Sequence, residues 1–275
     1  MTICIAAICD AGKRVVIAAD RMFTAGPPLN VEFEPPLSKI QPVGCNCLVL
    51  AAGNSIFADE VVTRTKGSIS ATVTANILNV AHAAKEAYAV FREEKIEETI
   101  IGSAFGADLR RFRSTGGTFP NYLSSHAGFY QQVVIQSNNY NLGLELIVAG
   151  VDVAGAHIFY LSHPGSLFCF DKLGYSSIGS GGQHAALRFS LGRYTPGRTL
   201  SEALFAVYSA KRASEVAPGV GRDTEMAVVS AASTWNCSEG LLAELAAVHD
   251  GQVQETQPNL DRVKEAYANG QPKVG

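Results

Sequence analysis

Apolar residues follow two rhythms along this chain. Short continuous runs, "TICIAAIC" and "RVVIAA", lack helical spacing and are bounded by turn residues, the pattern of strands covered on both faces. They predict strands over Thr2–Cys9 and Arg14–Ala19, joined by "DAGK", whose glycine supplies a positive φ. The proline- and glycine-rich "TAGPPLNVEFEPPLSK" predicts loop or edge structure. Two further strands are expected around Ser38–Pro42 and Cys45–Ala51. The Gly-Asn-Ser after them suits a strand-to-helix turn, and Gly67 suits a helix C-terminus. From Thr74 to Glu94 the rhythm changes: Ile77, Val80, Ala84, Ala87 and Phe91 recur at helical spacing, with Asn79, Lys85, Glu86 and Arg92 on the other side.

A second strand-rich block runs "LELIVAGVD", "AHIFYLSHPG" and "SLFCFDKLGYSSIG", punctuated by Gly155 and Pro164-Gly165. Helices are predicted from Gln183 to Leu191 and from Leu200 to about Glu215, the latter opened by Thr199 and Glu202 at capping-box spacing. "TEMAVVSA" reads as a buried strand, and "LLAELAAV" fits either a strand or a short helix. The tail after Asp250 is polar, with a short helix expected at Leu260–Ala268. Strands, two helical regions, strands, two helices and strands follow one another without βαβ alternation, which argues against a doubly wound parallel sheet. The expected class is α+β: two antiparallel sheets stacked face to face with helices outside, a four-layer αββα sandwich. Residues 1–250 would form one domain with a helical insertion at about 95–140, and 251–275 a polar C-terminal extension.

Composition narrows the function. The 275 residues are 47% hydrophobic and 17% charged with a formal charge of -3, which offers no electrostatic footprint for nucleic acid or an anionic membrane. No apolar run approaches the length of a membrane span, and Asp10, Lys13 and Arg14 interrupt the start, so a cytoplasmic location is expected. The six cysteines and six histidines lack metal-site spacing, and no metal or other cofactor is expected. Cys45 and Cys47, two positions apart, would share one strand face. "GSGGQHAALRF" lacks the spacing of a phosphate-binding loop.

A core strand that begins at the chain's start has a chemical rationale. The hydroxyl of an N-terminal threonine is a weak nucleophile, but a free α-amine on the same residue can take its proton. That amine has a reference pKa of about 7.7–8.0, which suits a general base near neutral pH. Thr2 qualifies once Met1 is removed, and its small side chain permits that removal. "VVIAADRMFTAG" then resembles the second strand and following loop of proteasome β-type subunits and the related bacterial ring peptidase, with Asp20, Thr24 and Gly26 at the matching positions. "LSKIQPV", "LAAGNSIFADE", "SSIGSGGQHA" and "DTEMAVV" resemble further segments of that family in the family's order, over roughly residues 2–66 and 144–232.

The resemblance implies an N-terminal-nucleophile (Ntn) hydrolase: a threonine peptidase acting on peptide or unfolded-protein substrates, assembled as a homo-oligomeric ring, with an ATP-dependent unfoldase as an implied partner. It implies Thr2 as nucleophile, Asp20 and Lys39 as a buried pair beside it, and Ser180 as helper serine. Gly53 becomes the oxyanion amide, and Thr24 and Gly26 the backbone that binds a peptide as an added strand. The family's late Asp and Ser, three residues apart, correspond to Glu215 and Pro218; Glu215 takes the place of the Asp, and Pro218 has no hydroxyl to give. Two alternatives stand beside the peptidase: a non-catalytic ring subunit, and an Ntn amidohydrolase acting on small amides.

Overall fold

The computed structural model describes residues 2–25, 31–33, 38–69, 76–102, 110 and 127–254. It is a mixed α/β fold with two antiparallel five-stranded sheets, a two-stranded ribbon and, among the described residues, six α-helices. The first sheet has the order β10-β1-β2-β11-β12, from β1 (Cys4–Cys9), β2 (Arg14–Asp20), β10 (Tyr175–Ile178), β11 (Thr224–Ser230) and β12 (Thr234–Asn236). The second has the order β5-β6-β7-β8-β9, from β5 (Ile40–Gly44), β6 (Cys47–Gly53), β7 (Leu144–Asp152), β8 (Gly155–Ser162) and β9 (Ser166–Cys169). β3 (Phe23–Ala25) and β4 (Val31–Phe33) form the ribbon.

Strand periodicity sorts the apolar residues into layers. Along β1, Ile5, Ala7 and Cys9 face one way, toward α4 (Gly182–Leu191), α5 (Leu200–Ser214) and α6 (Glu239–Gln254), while Cys4, Ala6 and Ile8 face the other sheet. Along β7, Leu144, Leu146 and Val148 pack with α1 (Ser55–Gly67) and α2 (Ile77–Ile96), and Ile147, Ala149 and Val151 face the first sheet. The sheets therefore share one apolar interior, with helices against both outer faces, an arrangement compatible with a sandwich. Continuous apolar runs in β1 and β2 follow directly: both faces of these strands are covered, so neither can be polar.

Several expectations shift in detail. Strand β1 begins at Cys4, with Thr2 and Ile3 as its extended lead-in. Asp10 and Ala11 share the positive φ of Gly12 in the first hairpin. Cys45 does not share a strand face with Cys47: it lies exposed in the turn between β5 and β6, whereas Cys47 is buried in β6. "LLAELAAV" is helical, within α6. In the region of the expected insertion, a π-helical turn (Glu97–Ile101) extends α2, and α3 (Ala127–Asn139) packs on it through Val133 against Ile96 and Ile101. Positions 103–109 and 111–126 of that insertion, the helix expected at Leu260–Ala268 and Gly26 lie outside the described residues. No helix among the described residues is long and apolar enough to cross a membrane.

The capping box at α5 is present in full. Glu202 N–H donates to Thr199 Oγ1 at 3.4 Å, and Thr199 N–H donates to the Glu202 carboxylate at 2.9 Å. Replacing Thr199 by alanine removes an N-cap acceptor, and chemical denaturation is expected to register a loss of about 1 kcal/mol. An unchanged denaturation midpoint would show that the cap adds nothing to the stability of this helix.

Candidate active site

The interior between the sheets ends in polar residues. Thr2 lies two positions before Cys4 on the inter-sheet face of the first sheet, and Glu145 lies two positions before Ile147 on the facing surface of the second. At this end a cleft of about 460 Å³ opens, lined by Thr2, Gly53, Asn141, Glu145, His163 and Ser180 among others. A larger groove, about 860 Å³, lies between α1 and the end of α2, lined by Arg64, Glu94 and Lys95, and contains none of the residues singled out for chemistry.

Thr2 is 3% exposed, and its hydroxyl is held between two charges. Thr2 Oγ1 donates to Asp20 Oδ1 at 2.5 Å, and Lys39 Nζ donates to Thr2 Oγ1. Lys39 Nζ is also 2.8 Å from Asp20 Oδ1 and donates to the Met22 carbonyl. Five donors converge on the Asp20 carboxylate: Thr2 Oγ1, Ile3 N–H at 2.9 Å and Lys39 on Oδ1, with Met22 N–H at 3.1 Å and Gly221 N–H at 3.0 Å on Oδ2. A carboxylate shut off from water is tolerable only with this degree of hydrogen bonding.

The elements behind these positions differ. Asp20 ends β2, a central strand of the first sheet, and Lys39 precedes β5, the edge strand of the second. Ser38 ties that approach down, donating from Oγ to Glu225 of β11 at 2.9 Å and accepting from Ile40 N–H at 2.9 Å. The charge pair therefore spans the two sheets.

On its other side, Thr2 N–H donates to Ser180 Oγ at 3.3 Å, and Ser180 Oγ lies 3.4 Å from the Thr2 carbonyl and 3.3 Å from the Pro218 carbonyl. Pro218, which lacks a hydroxyl, thus meets Ser180 through its backbone oxygen. Glu215 is placed elsewhere. Its carboxylate accepts from Lys211 Nζ at 2.6 Å and from Arg212 at 3.2 Å, both from the same helix. Gly53 faces the cleft at the end of β6 with φ +107°, and an added Cβ would stand 1.9 Å from the Gly143 carbonyl oxygen. Only glycine fits there. Thr24 belongs to β3, in the ribbon that follows β2.

Thr2, Asp20, Lys39 and Ser180 thus meet directly, with Gly53 on the same cleft. The sequence reading missed several neighbours. Lys211 is wholly buried, donates to the Arg222 carbonyl at 2.5 Å, and has a pKa held down by burial despite the Glu215 carboxylate beside it. Its signal was present: Leu204, Val207 and Lys211 share one helical face, so a lysine stands on an apolar stripe. Glu145 and Tyr160 were missed because each is one polar position in an apolar strand. His163 has its pKa lowered, chiefly by burial and then by the Arg92 charge, so a neutral imidazole lines the cleft. The Cys4 thiol, next to Thr2 in the interior, has its pKa raised to about 12 by burial and rests 3.4 Å from the Ala51 carbonyl; it is an inert thiol. Among the described residues no group of three or more His, Cys, Asp or Glu side chains is placed to hold a metal ion.

Asp20 and Lys39, with side chains 0% and 7% exposed, should couple strongly in stability. Asp20→Asn alone strands the ammonium and is expected to cost about 3–5 kcal/mol by denaturant titration. Adding Lys39→Met should recover part of that loss; a double variant as unstable as the sum of the single ones would show that the two groups act independently. Comparison of the chain with protein-family models and with curated proteins found no match.

Proposed function

We propose that this protein is a hydrolase of the N-terminal-nucleophile type, a four-layer αββα sandwich in which Thr2, freed by removal of Met1, attacks an amide carbonyl. The observation that carries the reading is the Thr2 hydroxyl, held between Lys39 and Asp20 at the end of an open cleft, with the Thr2 nitrogen on Ser180. Before Met1 is removed that nitrogen is a peptide amide and cannot accept a proton; afterwards it is an amine on the same carbon skeleton as the hydroxyl.

In the proposed reaction Thr2 Oγ1 forms a bond to the substrate carbonyl carbon and its proton passes to the α-amine. The Lys39 ammonium lowers the cost of negative charge on Oγ1 as the proton leaves. The Gly53 amide is the proposed donor to the tetrahedral oxyanion. Collapse breaks the C–N bond, the amine returns its proton to the leaving nitrogen, and an ester links the acyl group to Thr2. Water, deprotonated by the same amine, then cleaves the ester and restores the hydroxyl.

The resemblance to proteasome β-type subunits favours peptides or unfolded protein as substrate, a homo-oligomeric ring, a cytoplasmic location and an ATP-dependent unfoldase partner. The cleft supports a second reading: about 460 Å³ is the size of a small-molecule pocket, which suits an amidohydrolase of small amides.

Intact-mass measurement is expected to find the chain lacking Met1. Peptide hydrolysis should fall about a thousandfold or more in Thr2→Ala and persist in Thr2→Ser, which keeps a hydroxyl. Retained Met1, or a Thr2→Ala variant as active as the parent, would refute the nucleophile assignment. Turnover of small amides without turnover of any peptide in a panel would select the amidohydrolase.

A further inference from the structure

A carboxylate on the second sheet reaches across to the turn that holds Ser180. Glu145, the second residue of β7, accepts through Oε2 from the Gly179 N–H at 3.0 Å, and Gly179 follows β10 of the first sheet. Its other oxygen, Oε1, accepts from the Tyr160 hydroxyl of β8 at 2.5 Å. The carboxylate is thereby fixed at both ends: one oxygen is anchored within its own sheet and the other is committed to the opposite one. Burial, and then the Glu145 bond, raise the Tyr160 pKa to about 12, so the phenol keeps the proton it donates.

Gly179 sits directly against Thr2. It has φ +90°, and an added Cβ would stand 2.3 Å from the Thr2 carbonyl oxygen and 2.9 Å from Thr2 Cγ2. The next residue is Ser180, whose Oγ accepts from the Thr2 nitrogen, and Gly181 N–H lies 3.4 Å from the Thr2 carbonyl oxygen. The segment 179–181 is therefore a cradle for the Thr2 backbone, and its glycines give it no side-chain packing of their own at 179 and 181. Its main tie to the second sheet among the described residues is the Glu145 carboxylate. Ile178 at the end of β10 packs in the shared interior and Gly182 N–H donates to the Gly179 carbonyl at 2.9 Å, while the Gly179 N–H is the group that Glu145 holds from across the sheets.

We propose that Glu145, anchored by Tyr160, is a positioning residue: it holds the Gly179–Ser180 turn so that Ser180 Oγ stays on the Thr2 nitrogen and the hydroxyl stays aimed into the cleft. The part proposed for Glu145 is to hold the turn, through the two hydrogen bonds that it accepts. This inference rests on the hydrolase reading for its consequence, though the brace itself does not.

The test uses the full chain and three variants, Glu145→Ala, Glu145→Gln and Tyr160→Phe, with thermal melting as the folding control. An aliphatic β-lactone, which acylates hydroxyl nucleophiles, serves as probe, with adducts counted by intact mass and mapped to Thr2. Glu145→Ala is expected to lower the limiting acylation rate about tenfold or more while leaving half-saturation within about twofold. Glu145→Gln should recover most of that loss, because its amide oxygen still accepts from Gly179 while its NH₂ group donates to the Tyr160 oxygen. Tyr160→Phe should fall between the two. Hydrogen–deuterium exchange of the peptide spanning Gly179–Ser180 should accelerate in Glu145→Ala and return to the parental rate in Glu145→Gln.

Unchanged exchange in Glu145→Ala overturns the brace whatever the activity. A loss confined to half-saturation, or an equal loss of limiting rate in Glu145→Gln, overturns the positioning role. Faster exchange in Glu145→Ala with no parental labelling at Thr2 overturns the nucleophile reading instead, and the positioning role falls with it.

Discussion

A buried carboxylate with five donors is the interaction on which the rest of this site depends. Asp20 is 0% exposed, and an unpaired negative charge at such a place would cost several kcal/mol. Neutralising it requires a cation, which Lys39 brings from the far sheet, and backbone N–H groups from Ile3, Met22 and Gly221. Those three amides belong to three different segments of chain. Satisfying one aspartate therefore fixes the lead-in to β1, the exit from β2 and the approach to β11, and the Thr2 hydroxyl is held as the fifth donor.

The same requirement explains why the site lies where two sheets meet. The first sheet carries Thr2 and Asp20; the second carries Lys39, whose ammonium pairs with Asp20, and Glu145. Apolar packing between Cys4, Ala6, Ile17, Leu50, Ile147 and Ala149 brings the sheets together without direction, as hydrophobic contact does. Direction comes from the polar ends: Lys39 on Asp20, Ser38 on Glu225 and Glu145 on Gly179. Each is a sheet-to-sheet hydrogen bond, and together they set the register of one layer over the other at the cleft.

Much of this was legible in the chain because local rules suffice for it. Continuous apolar runs gave β1, β2 and β7, and the spacing of Ile77, Val80, Ala84, Ala87 and Phe91 gave α2. Thr2 stood out through the chemistry of a terminal threonine, whereas Asp20, Lys39, Gly53 and Ser180 were legible only through resemblance, since nothing in their spacing states that they converge. Cys45 was misplaced because a β5–β6 turn and a strand continuation share the same polar-apolar pattern over four residues. Order along the chain matches Glu215 to the late Asp that the resemblance implies, and order alone does not show that its carboxylate accepts from Lys211 on the preceding turn at 2.6 Å. Glu145 could not have been found by any local rule, because its partner Gly179 lies 34 residues away on another sheet.

The glycine at position 53 has a consequence for anything that enters the cleft. With the Gly143 carbonyl occupying the space where a side chain would begin, that stretch of wall is bare main chain and cannot be remodelled by substitution. Shape and polarity are adjustable at the neighbouring rim, for instance through Asn141, Ser162 and the neutral imidazole of His163. Redesigning which guests this protein admits would start with those three positions and leave the main-chain wall alone.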